Sequence, residues 1–111
     1  MVKQFDVITV DLDPTRGREK KKYRPCVVVS NDLINNGSSF SWIMPITNRS
    51  RRQPSDLPVK TKNNNITGII DTVQIRALDL KVQNTKVIDE IHDDLKSNIL
   101  ETIIAHSEIV N

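Results

Sequence analysis

Residues 25–31 read Pro-Cys-Val-Val-Val-Ser-Asn, and this stretch decides the fold. It is too short and too β-branched for a helix. Its unbroken apolar run lacks the alternation of a half-exposed strand, so it predicts a strand covered on both faces. The leading proline suits a strand start, where no ladder N–H is needed. Upstream, residues 5–12 (Phe-Asp-Val-Ile-Thr-Val-Asp-Leu) alternate and predict a half-buried strand ending at the Asp13-Pro14 turn. Residues 14–23 are polar and basic, contain Gly17, and read as the loop between these strands. Downstream, residues 31–39 hold one helical turn around Leu33 and Ile34, before an Asn35-Asn36-Gly37 turn. Residues 40–47 form a third strand, residues 48–58 a long surface loop, and residues 57–60 a short strand. After a turn at 62–65, residues 68–75 read as one strand, followed by 76–79 and a last short strand at 85–88.

The C-terminal segment has a different period. Leu95, Ile99, Leu100, Ile103 and Ile104 recur at helical spacing, with Asp93 or Asp94 to cap the helix. The fold class is therefore mainly β: a small antiparallel barrel, whose closure removes exposed edges, followed by one α-helix. At 111 residues and 12.6 kDa the chain is expected to be a single domain spanning 1–111, with room for one hydrophobic core.

With 37% apolar and 27% charged residues, the composition excludes disordered, collagenous and repeat classes. No run approaches the ~18 apolar residues of a membrane span, and residues 1–6 lack a signal-peptide core; a cytoplasmic protein without membrane contact is expected. A lone Cys26 makes no internal disulfide or thiolate metal cluster and reads as a buried core thiol.

The net charge of +2 hides a strong division. Residues 16–24 hold six cations (Arg16, Arg18, Lys20, Lys21, Lys22, Arg24) against Glu19, and Arg49, Arg51 and Arg52 add three more. Residues 89–108 carry six acids and one Lys96. Two basic loops that converge would make a positive field suited to a polyanion.

The two histidines, His92 and His106, stand 14 positions apart, too far along one helix to act as a pair. Zinc spacings, phosphate loops and nucleophile elbows are all absent from the sequence, so no metal and no cofactor is expected. What remains is two strand junctions: Arg24-Pro25, entering the apolar strand from one basic loop, and Pro45-Ile46-Thr47-Asn48-Arg49, leaving for the other. A guanidinium at a strand end, with a neighbouring hydroxyl, can clamp a phosphodiester and stabilise the extra charge of its transition state. Glu19, alone among cations, can order them by pairing or act on a proton. Of the four aromatic residues, Tyr23 and Trp42 can stack on bases, although Trp42 within a strand reads as core.

In order, Asp11-Leu12-Asp13-Pro14, Gly17-x-Glu19, Arg24-Pro25-x-Val27-Val28-Val29, Ser30-Asn31-Asp32, Pro45-Ile46-Thr47 and Gln74-Ile75-Arg76-x-Leu78-Asp79 resemble the MazF/PemK family of toxin endoribonucleases. The resemblance spans residues 5–79 and implies an SH3-like barrel of the CcdB/MazF type. It implies a cytoplasmic homodimer that inhibits growth by metal-independent, sequence-specific cleavage of single-stranded mRNA. In that family the 2′-hydroxyl attacks the phosphate, leaving 2′,3′-cyclic phosphate and 5′-hydroxyl ends. Carried over by position, the catalytic residues are Arg24, Thr47 and Glu19. RNA-binding residues are Arg16, Arg18, Lys20, Lys21, Tyr23, Asn48, Arg49, Gln74 and Arg76. The resemblance also implies a cognate antitoxin with an acidic C-terminal segment, and DNA binding by the toxin-antitoxin complex.

Two positions depart from the PemK branch: Arg18 and Val73 stand where that branch has a histidine and an acid. The general base is thus open between Glu19 and a substrate-held water. The alternatives are a CcdB-like toxin that acts on DNA gyrase without catalysis, and a non-catalytic nucleic-acid-binding barrel.

Overall fold

A computed structural model describes residues 1–11, 23–81 and 85–110 of the chain. In order the elements are β1 (Asp6–Asp11), β2 (Tyr23–Val28), α1 (Asp32–Gly37), β3 (Phe40–Thr47), β4 (Asp56–Pro58) and β5 (Ile69–Asp71). There follow a 3-10 turn (Thr72–Gln74), β6 (Arg76–Asp79), β7 (Lys86–Glu90) and α2 (Asp93–Ser107). The strand pairings are antiparallel in the order β4-β5-β3-β2-β1-β7, and β6 pairs with the first half of β3. The sheet curls until its ends meet. Thr61 bridges Ile91, the Lys62 N–H donates to the Glu90 carbonyl at 2.8 Å, and the His92 N–H donates to the Lys60 carbonyl at 2.9 Å. This closure produces the barrel-like, mainly β architecture read from the sequence.

The apolar run of β2 supplies both faces, as its lack of alternation predicts. Val27 and the following Val29 join Val7, Met44, Ile70 and, from α2, Ile99, whereas Cys26 and Val28 join Ile8, Val10 and Ile43 on the opposite side. The expectation of one core is corrected, because the curled sheet separates two clusters of buried side chains. The half-buried reading of β1 is also corrected. Flanked by β2 and β7, with a register shift between Val7 and Ile8, this strand sends Val7 to one cluster and Ile8 to the other.

Residues 40–47 form a strand with the predicted bounds, but Trp42 is 48% exposed rather than core. β2 starts two residues earlier than predicted because Arg24 and Tyr23 pair with Val10 and Asp11. β4 is displaced slightly upstream and β7 downstream of their predicted bounds. The helical turn around Leu33 and Ile34 extends through Gly37 and is capped by Asn31, whose Oδ1 accepts the Ile34 N–H at 3.1 Å.

The C-terminal helix forms, but its cap is His92 rather than either aspartate: His92 Nδ1 accepts the Asp94 N–H at 3.2 Å. Asp93 and Asp94 lie in the first turn, where they complement the helix dipole and pair with Lys96 and Lys60. The buried stripe is narrower than predicted. Leu95 and Ile99 are buried and Ile103 partly so, whereas Leu100 and Ile104, turned one residue further round the helix, are exposed.

Residues 68–75 are not one strand. The chain leaves the sheet after Asp71 because the Thr72 hydroxyl donates to the Ser55 carbonyl at 2.7 Å and lies 2.9 Å from His106 Nε2. With its one hydrogen given to Ser55, Thr72 accepts from the imidazole N–H. Held from two sides, residues 72–74 coil into the 3-10 turn, and β6 restarts at Arg76.

Candidate functional site

Strand register brings the two sequence-predicted junctions together. Cys26 of β2 lies opposite Pro45 of β3, so continuing the antiparallel register by two residues sets Arg24 opposite Thr47. On its other edge β3 changes partner: residues 40–43 pair with β6, whereas Ile46 and Thr47 pair with β5. Pro45, which has no N–H to leave unpaired, stands at the gap. The 3-10 turn bulges out there, and a surface hollow of about 280 Å³ opens, lined by Arg24, Pro45, Thr47, Asp71, Gln74 and Arg76.

Four of the sequence-predicted site residues, Arg24, Thr47, Gln74 and Arg76, thus share one hollow. Arg24, Gln74 and Arg76 are exposed and Thr47 is half-buried. Cys26 lies beneath, fully buried; burial pushes its thiol up to about 12, against the opposing pull of the Arg76 and Arg24 charges. That thiol therefore stays protonated at neutral pH and is no nucleophile. The lining carries two guanidinium groups and one carboxylate, a net positive hollow. A larger hollow of about 630 Å³, floored by Ser41 and Leu80, includes one charged side chain, Lys81, and offers no comparable convergence.

The other predicted residues are placed differently. Tyr23 opens β2 and is 42% exposed, outside the lining set. Asn48 is exposed beside the hollow, its Oδ1 3.5 Å from the Thr67 hydroxyl. Arg49 turns inward: its guanidinium holds the fully buried Asp56 through two hydrogen bonds of 2.6 and 3.1 Å, and reaches Asp71 at 3.9 Å. The Arg49 hydrogen bond and the Arg52 N–H hold the Asp56 carboxyl well below the usual carboxylate range. Arg51 bonds carbonyls of its own loop, at Gln53 and Pro54. The second basic stretch therefore folds upon itself and on Asp56. Arg16, Arg18, Glu19, Lys20 and Lys21 lie outside the described residues, as does the loop expected to meet it.

Asp71 is the lining residue that sequence reasoning missed. Reading 68–75 as an unbroken strand made Asp71 one polar position among alternating ones; the signal available was a carboxylate inside an otherwise apolar Ile69-Ile70 run. Val73, at the position where the PemK branch has an acid, is 60% exposed and is not part of the lining. Gly68, with φ of 117°, lets the chain pass the backbone of Thr47 and Asn48 more closely than any side chain permits, which fixes Thr47 from behind. Among the described residues, no three His, Cys, Asp or Glu side chains are grouped as metal ligands.

A family described as PemK-like, MazF-like toxin of type II toxin-antitoxin systems matches residues 3–106. The endoribonuclease toxin MazF of Escherichia coli strain K12 is 32% identical over 69 residues, 62% of each chain. The chain thus spans about three fifths of the length of that curated relative, matching 62% of it. The endoribonuclease PemK of Escherichia coli is 24% identical over 98 residues, covering 86% of this chain and 74% of the relative. Among solved structures, a chain of a MazE-MazF crystal structure from Deinococcus radiodurans superposes with a TM-score of 0.80 over 98% of this chain and 97% of that one, at 14% identity.

Proposed function

The chain belongs to the PemK-like, MazF-like toxin family of type II toxin-antitoxin systems, and from that premise we propose that it is a toxin endoribonuclease, acting in the cytoplasm as one domain of residues 1–111. It cuts single-stranded mRNA at a short recognition sequence without a metal ion, leaving 2′,3′-cyclic phosphate and 5′-hydroxyl ends. The observation that carries this reading is the meeting of Arg24 and Thr47, from different strands, in one hollow with Gln74 and Arg76.

The chemistry follows from the groups. As the ribose 2′-oxygen attacks, the non-bridging phosphate oxygens gain charge; Arg24 offers a planar fork of donors to them and Thr47 a hydroxyl donor. Donors aimed at the oxygens that gain charge contribute most in the transition state itself. Arg76 and Gln74 on the opposite wall hold the neighbouring phosphate or a base edge, and the exposed Tyr23 is an aromatic face on which a more distant base can stack. Asn48 adds an amide beside Thr47. The cations of residues 16–21 extend the positive track, with Glu19 among them. Arg49 supports the wall through Asp56 and Asp71.

Two partners belong to this reading. An antitoxin with an acidic C-terminal segment competes with RNA for the same cations, so its hold weakens as salt rises. A second copy of the chain pairs as a homodimer, supported by the exposed apolar side chains of Leu33, Ile34, Phe40 and Trp42 on α1 and β3. Sedimentation equilibrium reads the dimer directly. The activity is tested by incubating purified protein with a long unstructured RNA in a chelator and mapping the new 5′ ends. Ends clustered at one short motif are expected; intact RNA would overturn the reading in favour of a non-catalytic toxin or binding barrel.

A further inference from the structure

We infer that Asp71 is the general base of the hollow, the group that takes the proton from the attacking 2′-hydroxyl; this rests on the endoribonuclease reading above. The guanidinium groups of Arg24 and Arg76 are donors with no acceptor atom, the Thr47 hydroxyl and Gln74 amide are not bases, and Pro45 has no polar side chain. Asp71 is the one carboxylate in the lining, and so its one side chain with basic oxygens and no proton of its own to give. It ends β5 opposite Asp56 of β4, just where the chain turns out of the sheet, so its carboxylate stands at the gap beside Pro45 and across from Arg24 and Thr47.

Its surroundings suit the role. Asp71 Oδ2 is 3.9 Å from Arg49 Nη2, and Arg49 is itself locked on the buried Asp56, so the carboxylate is oriented from behind by a group that cannot swing away. On its C-terminal side Thr72 is tied to Ser55 and His106, which fixes the backbone that carries it. The charged and titratable groups facing it are Arg24 from β2, Arg49 and Asp56 from β4 and its preceding loop, Arg76 from β6, and, through Thr72, His106 from α2.

The 2′-oxygen passes its proton to a carboxylate oxygen of Asp71 and forms a bond to phosphorus. The bond from phosphorus to the 5′-oxygen of the next nucleotide breaks, its electron pair staying on that oxygen, which takes a proton from water. The hydroxide so formed recovers the proton from Asp71.

The test compares Asp71→Asn with the parent protein and with Glu19→Gln. Cleavage of a short fluorogenic RNA is followed across pH, binding is measured with the 2′-deoxy analogue, and folding is checked by thermal melting. Asp71→Asn is expected to lower kcat by about 10²–10³-fold, leave binding of the deoxy analogue within about twofold, and abolish the acid limb of the pH-rate profile. Asp71→Glu restores part of the rate together with that limb. A positioning role alone would lower the rate at every pH and keep the limb, and that overturns the inference. So does unchanged cleavage by Asp71→Asn, or loss of the limb in Glu19→Gln instead. If Asp71→Asn fails to fold, Asp71→Glu decides: full activity without any change in the profile overturns the assignment. A parent protein that does not cut RNA defeats the endoribonuclease reading itself, a result distinct from all of these.

Discussion

Gly68→Ala tests how the barrel positions Thr47. Gly68 has φ of 117°, and a Cβ there would lie 2.9 Å from both the Asn48 Cα and the Thr47 carbonyl carbon, with the Thr47 oxygen closer still. All three obstacles are backbone, so no side chain can rotate away. The forced backbone conformation costs about 1–3 kcal/mol and the overlap a further ~1–3, against a gain of about 0.4–1 from a stiffer unfolded chain. The net loss is about 1–6 kcal/mol, and at roughly 4 °C per kcal/mol for this size it lowers Tm by ~4–24 °C. The strain lands on the residue bearing the proposed phosphate donor, so cleavage measured where both proteins are folded falls by about tenfold or more. Gly37→Ala is the matched control: nothing lies within 4 Å of a Cβ there, and stability stays within about 1 kcal/mol of the parent. Circular-dichroism melts and a fluorogenic RNA assay read both quantities. A Gly68→Ala protein melting within about 2 °C of the parent and cutting at the parent rate would refute the claim that this close approach holds Thr47.

Other expectations follow from the same geometry. Arg24→Ala removes a transition-state donor and should cost about 3 kcal/mol in kcat/KM, with little change in Tm, in a fluorogenic RNA assay. Asp56 titrates below the ordinary carboxylate value of about 3.9, so its stabilising contribution is complete above that value and is lost as pH falls through the lowered one. Urea midpoints measured between neutral and acid pH should therefore fall less steeply for Asp56→Asn than for the parent. Ile99→Ala, at a fully buried position on the inner face of α2, should lower stability by about 2–5 kcal/mol in urea melts. Arg76→Gln should weaken binding of the 2′-deoxy analogue and reduce the slope of log affinity against log salt by about 0.7, the single-strand value for one phosphate contact.

The parts of the fold set by local pattern were legible in the sequence. Residues 40–47 form a strand with the bounds read from the sequence, and the triple valine at 27–29 announced a segment serving two faces. The meeting of Arg24 with Thr47 was legible too, since both stand at strand junctions, although only the Cys26–Pro45 register explains why those junctions coincide. What escaped was decided by contacts distant in sequence. The break after Asp71 depends on Thr72 reaching Ser55, 17 residues back, and His106, 34 residues on. No periodicity within residues 68–75 reports that, so Asp71 was hidden. Arg49 looked like one more surface cation because its partner Asp56 sits in a loop-flanked three-residue strand without a pattern of its own. Two cores replaced one because sheet curvature is a property of the closed ring and of no single strand.

The central claim is that Arg24 and Thr47 hold a phosphodiester while its own ribose oxygen cuts it. A single RNA carrying one 2′-deoxyribose immediately before the mapped cleavage position tests this most directly, with product ends identified by mass spectrometry. The account predicts no cut at the modified position, and a 2′,3′-cyclic phosphate at the same position of the unmodified strand. A cut at the modified position, or a linear 3′-phosphate formed without a cyclic precursor, would contradict it.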